Sequence, residues 1–227
     1  MNILKVEVRT KQLAMIKKFY VDLLEFEVKK DADERLELQA GRSTIEFVQD
    51  HDSRAFYHIA FSIAVDQLSE AMKWLENNGI ELITQDGNQP FEFKDWPASA
   101  CYFYDPDGNL IEFIAHHATV HEQADSFNAK HIIAISEIGL PVVDVREEIR
   151  RLHEVFGLSL WRGDGKLFAA MGDENGLLIV IDKHRPWFPV HIKPGMFPTV
   201  VLIQGLAPEE QHLVVNDGLY IISSLSL

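Results

Sequence analysis

Alternation of apolar and polar residues is the dominant pattern in the first part of the chain. Residues 3–9 alternate along their length, which predicts a strand with one buried face. The spacing then becomes helical up to Leu24, and Thr10 is the predicted N-cap of that helix. Gly41 supplies a turn between the last two of three further alternating segments, 26–30, 35–40 and 43–48. This order predicts a β-α-β-β-β module.

The same order starts again at residue 57. A strand over 57–65 precedes a helix over 68–77, and Gly79 is placed to end that helix. In Asp-Pro-Asp-Gly at 105–108, proline fixes φ and glycine accepts a left-handed conformation, so this segment predicts a hairpin turn. Further strands are predicted at 81–84, 100–104 and 109–115.

The second half predicts one more module and an abbreviated one. Its third helix has Asp144 as N-cap and Gly157 as its end, and the strands around it are 136–143, 158–161, 166–171 and 176–182. The fourth unit keeps strands at 198–204 and 218–224. We therefore predict a first domain over 1–118, which carries the site, and a linker over 119–130. A second, degenerate and truncated domain follows over 131–227.

Composition restricts the function classes. The chain has 227 residues and a net charge of −14, which argues against a nucleic-acid partner. It has no apolar run of about 20 residues, and its start lacks the apolar core of a signal peptide, so no membrane partner is expected. Because Cys101 is the single cysteine, no internal disulfide can form, and a cytoplasmic location is expected.

Four strands of the first half have one bulky apolar face and one face with an ionisable residue. Successive side chains of a strand point to opposite faces, so each polar face belongs to one side of a sheet. If the sheet curls, these faces line a concave surface, where charges are costly unless paired, metal-bound or hydrated. The four ionisable residues are Lys5, Glu46, His58 and Glu112.

Three segments resemble the vicinal oxygen chelate superfamily, which includes glyoxalases, bleomycin-resistance proteins and extradiol dioxygenases. They are KKFYVDLLEFEV at 17–28, YHIAFSI at 57–63 and YDPDGNLIEFI at 104–114. The resemblance implies an α+β fold of tandem βαβββ modules with curved mixed sheets and a cup for a small molecule. It also implies metal ligands on the first and last strands of each module, and those positions here are Lys5, Glu46, His58 and Glu112.

A metal-dependent enzyme is the first interpretation. Glu46, His58 and Glu112 would hold one divalent ion (Zn, Ni, Mn or Fe), with Glu112 and Lys5 as catalytic residues. Lyase or isomerase chemistry suits this set, and ring cleavage by a dioxygenase requires a second histidine. Lys5 departs from the family pattern, because a protonated lysine has no lone pair for a metal. The predicted substrate pocket comprises Glu7, Arg9, Phe93, Trp96 and Tyr102.

The alternative is a metal-free protein that binds or sequesters a small molecule, as bleomycin-resistance proteins do. Lys5 would then pair with Glu46 and Glu112 in place of the cation. The second half is expected to be chemically silent, because Ile222 and Thr199 stand at its ligand positions and Glu137 is expected to be hydrogen-bonded or solvated. A homodimer remains open on the sequence alone.

Overall fold

A computed structural model describes residues 1–85, 87–93, 97–117, 126–204 and 209–225. Its strands are β1 (Asn2–Thr10), β2 (Val28–Ala32), β3 (Arg35–Ala40), β4 (Ser43–Gln49), β5 (His58–Ser62), β6 (Leu82–Ile83), β7 (Phe91–Phe93), β8 (Ala98–Tyr104), β9 (Leu110–His116), β10 (Ala134–Val142), β11 (Leu160–Gly163), β12 (Phe168–Asp173), β13 (Gly176–Asp182), β14 (Thr199–Gln204), β15 (Gln211–Val215) and β16 (Tyr220–Leu225).

The helices are few and lie between the strands. They are α1 (Leu13–Lys17), which continues as a π-helical turn (Lys18–Leu23), α2 (Leu68–Asn77) and α3 (Val145–Phe156), with 3-10 turns at Val65–Gln67, Ala129–His131 and Asn216–Gly218. No helix in the described ranges combines the length and the apolar character needed to cross a membrane.

Local sequence signals account for most of these elements. The Asp144 carboxylate accepts hydrogen bonds from two backbone N–H groups at the start of α3, and Gly157 ends that helix with φ +70°. The predicted turn at 105–108 joins β8 and β9, and Gly108 has φ +83° there. Thr10, predicted as a helix cap, is instead the last residue of β1, because it pairs with Gln49 of β4.

Two strands were not predicted, and the sequence of each gives only a weak strand pattern. β7 has three residues and hydrogen-bonds to β8 alone among the described strands. β15 lies at the edge of its sheet with exposed His212 and Val214, so its apolar alternation is incomplete. Edge strands lack the two-sided burial that makes a strand pattern clear.

The strands form two mixed sheets, in agreement with the predicted fold class. The first sheet has the order β15-β16-β14-β1-β4-β3-β2. The second has the order β11-β12-β13-β10-β5-β9-β8-β6, with β7 on β8. At the centre of each sheet one antiparallel pair joins two modules: β1 with β14, and β10 with β5. The first module therefore pairs with the fourth, and the second module pairs with the third.

This pairing differs from the division expected from the sequence. The strands between residues 1 and 116 belong to two different sheets, and each sheet also contains strands from the range 131–227. The predicted boundary between the halves is thus not a boundary between the sheets. Of the predicted linker 119–130, residues 119–125 lie outside the described residues.

The two sheets share one apolar core through the faces that carry their bulky residues. Val6 and Phe47 of the first sheet and Phe61 and Phe113 of the second are fully buried in it, together with the apolar sides of α1, α2 and α3. The opposite face of the second sheet has its own apolar cluster, which includes Tyr102. The core thus occupies one side of each sheet and leaves the other side available for a site.

The β3–β4 turn is tied to the chain that enters β10. The Ser43 hydroxyl donates to the carbonyl of Ile3 (2.6 Å) and accepts from the N–H of Ile135 (3.0 Å). Beside it, Gly41 has φ +59°, and a Cβ built there would lie 2.1 Å from the carbonyl oxygen of Ile133. Only a residue without a side chain fits this contact between the two sheets.

Replacing Gly41 tests this close approach, and Gly79 provides a matched control. Both glycines have left-handed φ, but a Cβ at Gly79 meets nothing within 4 Å. We expect Gly79→Ala to lower the free energy of unfolding by about 1–2 kcal/mol through backbone strain. Gly41→Ala should cost about 1–3 kcal/mol more, because it also overpacks the turn. Urea denaturation measures both changes, and equal losses would contradict the contact.

Candidate metal centre

Three neighbouring strands of the second sheet bring together the ionisable residues on its open face. β5 lies between β10 and β9, and its Ala60 pairs with Glu137 on one side and with Glu112 on the other. His58 is two residues before Ala60 on the same strand, so its side chain points to the same face. Strand register alone thus places two glutamates and one histidine side by side.

The three side chains are close and almost completely buried. His58 Nε2 lies 3.4 Å from Glu112 Oε2 and 3.7 Å from Glu137 Oε2. One ligand atom from each of the three residues lies within 4.8 Å of the other two. Exposed fractions are 6% for His58, 2% for Glu112 and 5% for Glu137, so bulk water does not solvate these groups.

The histidine is held in the tautomer that a metal requires. His58 Nδ1 lies 3.3 Å from the carbonyl oxygen of Leu110, which can only accept a hydrogen bond. Nδ1 must therefore carry the proton in this contact, and Nε2 presents its lone pair to the glutamates. An imidazole fixed in this way through its other nitrogen is the usual arrangement of a metal-bound histidine.

No lysine or arginine among the described residues lies within ion-pair distance of the two carboxyl groups. Burial raises the pKa of Glu112 well above its usual range, and the neighbouring charge of Glu137 raises it further. A hydrogen bond with Tyr102 lowers the pKa by less than these two effects raise it. Glu137 Oε1 is buried without a hydrogen-bond partner among the described residues. Two buried carboxyl groups beside a neutral imidazole are costly alone, and a divalent cation would satisfy all three. These residues therefore fit a metal ion.

A cavity of about 470 Å³ opens above this group. Its apolar walls are Phe93, Tyr102, Ile114, Phe168, Ile179, Trp187 and Phe188. The Trp187 ring packs against the His58 ring with centroids 4.9 Å apart. Gly139 makes room for it, since a Cβ there would lie 2.7 Å from the indole. The group thus lies in a small, mostly aromatic pocket, as expected for a ligand site.

The remaining predicted site residues lie in the first sheet. Lys5 Nζ is 2.9 Å from Glu46 Oε2 and 3.1 Å from Glu37 Oε2. Arg35 bridges Glu46 and Glu7 at 3.0 Å each. Burial raises the pKa of the Glu46 carboxyl, but hydrogen bonds from Lys5 and Arg35 outweigh it, and the net pKa is lowered.

Lys5, Glu46, His58 and Glu112 were expected to converge in one cup, and the structure corrects this expectation. The structure brings His58 and Glu112 together and keeps Lys5 and Glu46 apart from them, because β1 and β4 belong to the other sheet. Lys5 pairs with Glu46 but not with Glu112.

The predicted pocket residues are divided in the same way. Phe93 and Tyr102 line the cavity in the second sheet, close to the candidate metal ligands. Glu7 and Arg9 instead form an ion pair with each other in the first sheet. Trp96 lies outside the described residues.

The strand registers relate the two sheets position by position. The pairing of β1 with β14 skips one residue just before Lys5, and the pairing of β10 with β5 skips one residue just before Glu137. These two residues therefore occupy equivalent positions. The same comparison along the paired strands gives three more equivalent positions, with the first-sheet residue named first. They are Glu46 and Ile179, Val200 and His58, and Ser223 and Glu112. The sequence analysis placed the ligand positions of the second half at Thr199 and Ile222. Each of these residues precedes the structurally equivalent position, Val200 or Ser223, by one residue. The first sheet thus has a cation where the second has a carboxylate.

Glu137 is the site residue that the sequence analysis set aside. It was expected to be hydrogen-bonded or solvated, because its own module offers no other ligand. The signal was nevertheless present, since Glu137 occupies the first-strand position of the third module. It could be recognised only by pairing the second module with the third.

Comparisons with known proteins agree with this architecture. Residues 2–113 match the Glyoxalase/Bleomycin resistance protein/Dioxygenase superfamily. Metallothiol transferase FosB of Staphylococcus epidermidis is 26% identical over 119 residues, which are 50% of this chain and 79% of that protein. Residues 2–113 therefore belong to this superfamily.

Solved structures extend the likeness to the whole fold. A glyoxalase I point mutant from Zea mays superposes with a TM-score of 0.61 at 15% identity, over 99% of this chain and 92% of that one. A protein from Bacillus subtilis, provisionally called a dioxygenase, gives a TM-score of 0.65 at 13% identity, over 99% and 84%. At these identities the likeness concerns the fold alone.

The ion pairs of the first sheet predict a pH-dependent stability. Because the folded-state pKa of Glu46 is lowered, its stabilising contribution is present above the ordinary carboxyl pKa and is lost as the pH falls through the folded value. Glu46→Gln should lower the free energy of unfolding at pH 7 by about 1–2 kcal/mol, since the partners lie partly in water. The difference from wild type should shrink towards pH 3.

Denaturant titrations at several pH values measure this difference. Glu70→Gln is the control, because Glu70 lies on the surface of α2, where its ion-pair partner among the described residues is exposed Lys73. It should change the stability by less than about 0.5 kcal/mol at every pH. A loss for Glu46→Gln that stays constant down to pH 3 would contradict the ion-pair account.

Proposed function

We propose that the chain is a metal-dependent enzyme that binds one divalent ion through His58, Glu112 and Glu137 and acts on a small molecule in the cavity above them. One observation carries this proposal. Three potential ligand atoms lie within 4.8 Å of one another in a buried pocket. Among the described residues, only His58 lies within ion-pair distance of the two carboxylates there, and no lysine or arginine does.

The donor set indicates the kind of ion and its use. One imidazole nitrogen and two carboxylate oxygens suit Zn, Mn, Fe or Ni. Three protein ligands leave positions open for water or substrate, which is the arrangement of catalytic sites. When bound, the ion would act as a Lewis acid that polarises a substrate oxygen.

The residues of the chain then supply orientation and proton transfer. The Leu110 carbonyl holds the His58 ring in place, and the Trp187 ring packs against it. The Glu112 carboxylate lines the cavity beside His58, 3.4 Å from its Nε2, and is placed to accept a proton from a substrate carbon or hydroxyl. This combination favours redox-neutral chemistry of the lyase or isomerase type.

Ring cleavage by a dioxygenase is less well supported by the ligand set. The non-haem iron triad needs two histidines and one carboxylate, and this group has one histidine and two carboxylates. His116 lies on the same strand face as Glu112, but four residues further along β9, or about 13 Å away. In the described residues, therefore, the second histidine of such a triad has no candidate near His58.

The relatives add support of a general kind. FosB is named a metallothiol transferase, which agrees with metal dependence in this superfamily. The metal-free alternative relied on Lys5 to compensate the buried glutamates. Lys5 pairs with Glu46 and Glu37 in the first sheet, so it leaves Glu112 and Glu137 uncompensated.

Metal analysis of single variants tests the proposal. Protein purified without chelator and dialysed against Zn²⁺ or Mn²⁺ should hold about one ion per chain. Because each change removes one of three ligands, His58→Ala and Glu137→Gln should weaken metal binding by at least about tenfold. Metal content after dialysis and calorimetric titration provide the measurement.

Glu46→Gln is the matched control, because Glu46 is a buried glutamate on the corresponding face of the other sheet. It should bind metal as the wild type does. Chelator should lower the melting temperature of the wild type but not that of His58→Ala, since an ion bound to the native state stabilises it. Equal metal content in all variants, or a melting temperature insensitive to chelator, would favour the metal-free alternative.

A further inference from the structure

A single arginine faces the same cavity as the candidate metal ligands. Arg185 follows β13 and lines the cavity together with Trp187 and Phe188. Its guanidinium lies over the Phe168 ring, 4.8 Å from the ring centroid, which holds the side chain against the wall. Among the described residues, no carboxylate lies within ion-pair distance of Arg185, whereas Arg35 has two such partners and Arg151 has one.

The charges around Arg185 leave its cation available. The charge of Asp164 acts on Arg185 without an ion pair, and the Asp164 carboxylate accepts hydrogen bonds from the backbone N–H groups of residues 166, 167 and 168. Glu92 also lines the cavity, but it is 61% exposed and accepts a hydrogen bond from Ser99. In the proposed function, the charges of Glu112 and Glu137 are neutralised by the metal ion. A half-buried guanidinium then remains as the positive group of the pocket.

The rest of the cavity indicates what that cation would bind. The other residues that line the cavity are mainly aromatic, and they include Phe93, Tyr102 and Trp187. A guanidinium presents paired N–H donors that match the two oxygens of a carboxylate. Aromatic walls favour a flat apolar body through ring contacts and apolar burial.

We infer that the substrate is a small aromatic carboxylate, with its carboxylate on Arg185, its ring between the aromatic walls and a further oxygen at the metal ligands. Arg185 is thus a specificity-determining residue of the site. The position of the further oxygen rests on the proposed function. The pairing of Arg185 with the carboxylate and the ring contacts do not rest on the proposed function.

Binding of three probes to the full chain tests this inference. 2-Hydroxybenzoate has the ring, the carboxylate and a second oxygen, 2-hydroxybenzamide lacks the charge, and glycolate lacks the ring. In metal-loaded protein we expect 2-hydroxybenzoate to bind at least about tenfold more tightly than either analogue, because a charge-assisted pair or a buried ring is lost in each. Calorimetry gives the affinities, and tryptophan fluorescence gives a second readout through Trp187.

Three variants assign the preference to Arg185. Arg185→Gln should bind the benzoate and the benzamide equally, and Arg185→Lys should keep part of the preference. Arg162→Gln is the control, because Arg162 also lies over an aromatic ring, that of Trp161, but does not line the cavity. It should behave as the wild type does.

The outcomes separate this inference from the proposed function. Arg185→Gln should keep the metal content of the wild type, so a loss of preference with intact metal concerns Arg185 alone. If the wild type binds no metal but still prefers the benzoate over the benzamide through Arg185, only the proposed function fails. No preference in the wild type, or a full preference in Arg185→Gln, would overturn the inference.

Discussion

The antiparallel pairing of β5 with β10 is the constraint on which the site depends. Ala60 stands between Glu137 and Glu112 because of this pairing and the parallel pairing of β5 with β9. No loop positions any of the three candidate ligands. Their spacing follows from strand register, and the shared apolar core of the two sheets fixes that register. A site built on a sheet in this way is preorganised, because its side chains need little rearrangement to bind an ion.

The two sheets compensate buried carboxylates in different ways. In the first sheet, Lys5 and Arg35 lie within 3.0 Å of the Glu46 oxygens, so the charge is balanced by side chains. In the second, the position equivalent to Lys5 is Glu137, and the position equivalent to Glu46 is Ile179. One sheet therefore contains its own cations, and the other concentrates negative charge where a metal can enter. This difference explains how two similar sheets can have unequal chemistry.

The sequence predicted the elements well because each has a local cause. Alternation marked β3, and a continuous apolar run marked β13. A cap and a glycine marked α3, and a proline-glycine turn marked the β8–β9 hairpin. His58 and Glu112 were predicted as ligands from strand faces and from the resemblance to the superfamily, and the structure brings these two residues together. Glu137 was missed and Glu46 was misplaced for one reason. Which module pairs with which is decided by contacts between strands that are far apart in sequence, such as Ala60 with Glu137 and Val6 with Val201, and no local pattern encodes that choice.

Anomalous diffraction from a crystal grown with Mn²⁺ or Zn²⁺ tests the central claim most directly. Data collected at the absorption edge of the metal locate the ion without any assumption about ligands. The account predicts one strong peak about 2.0–2.2 Å from His58 Nε2 and from carboxylate oxygens of both Glu112 and Glu137. A peak beside Glu46 in the first sheet, or none near His58 in metal-saturated crystals, would contradict it.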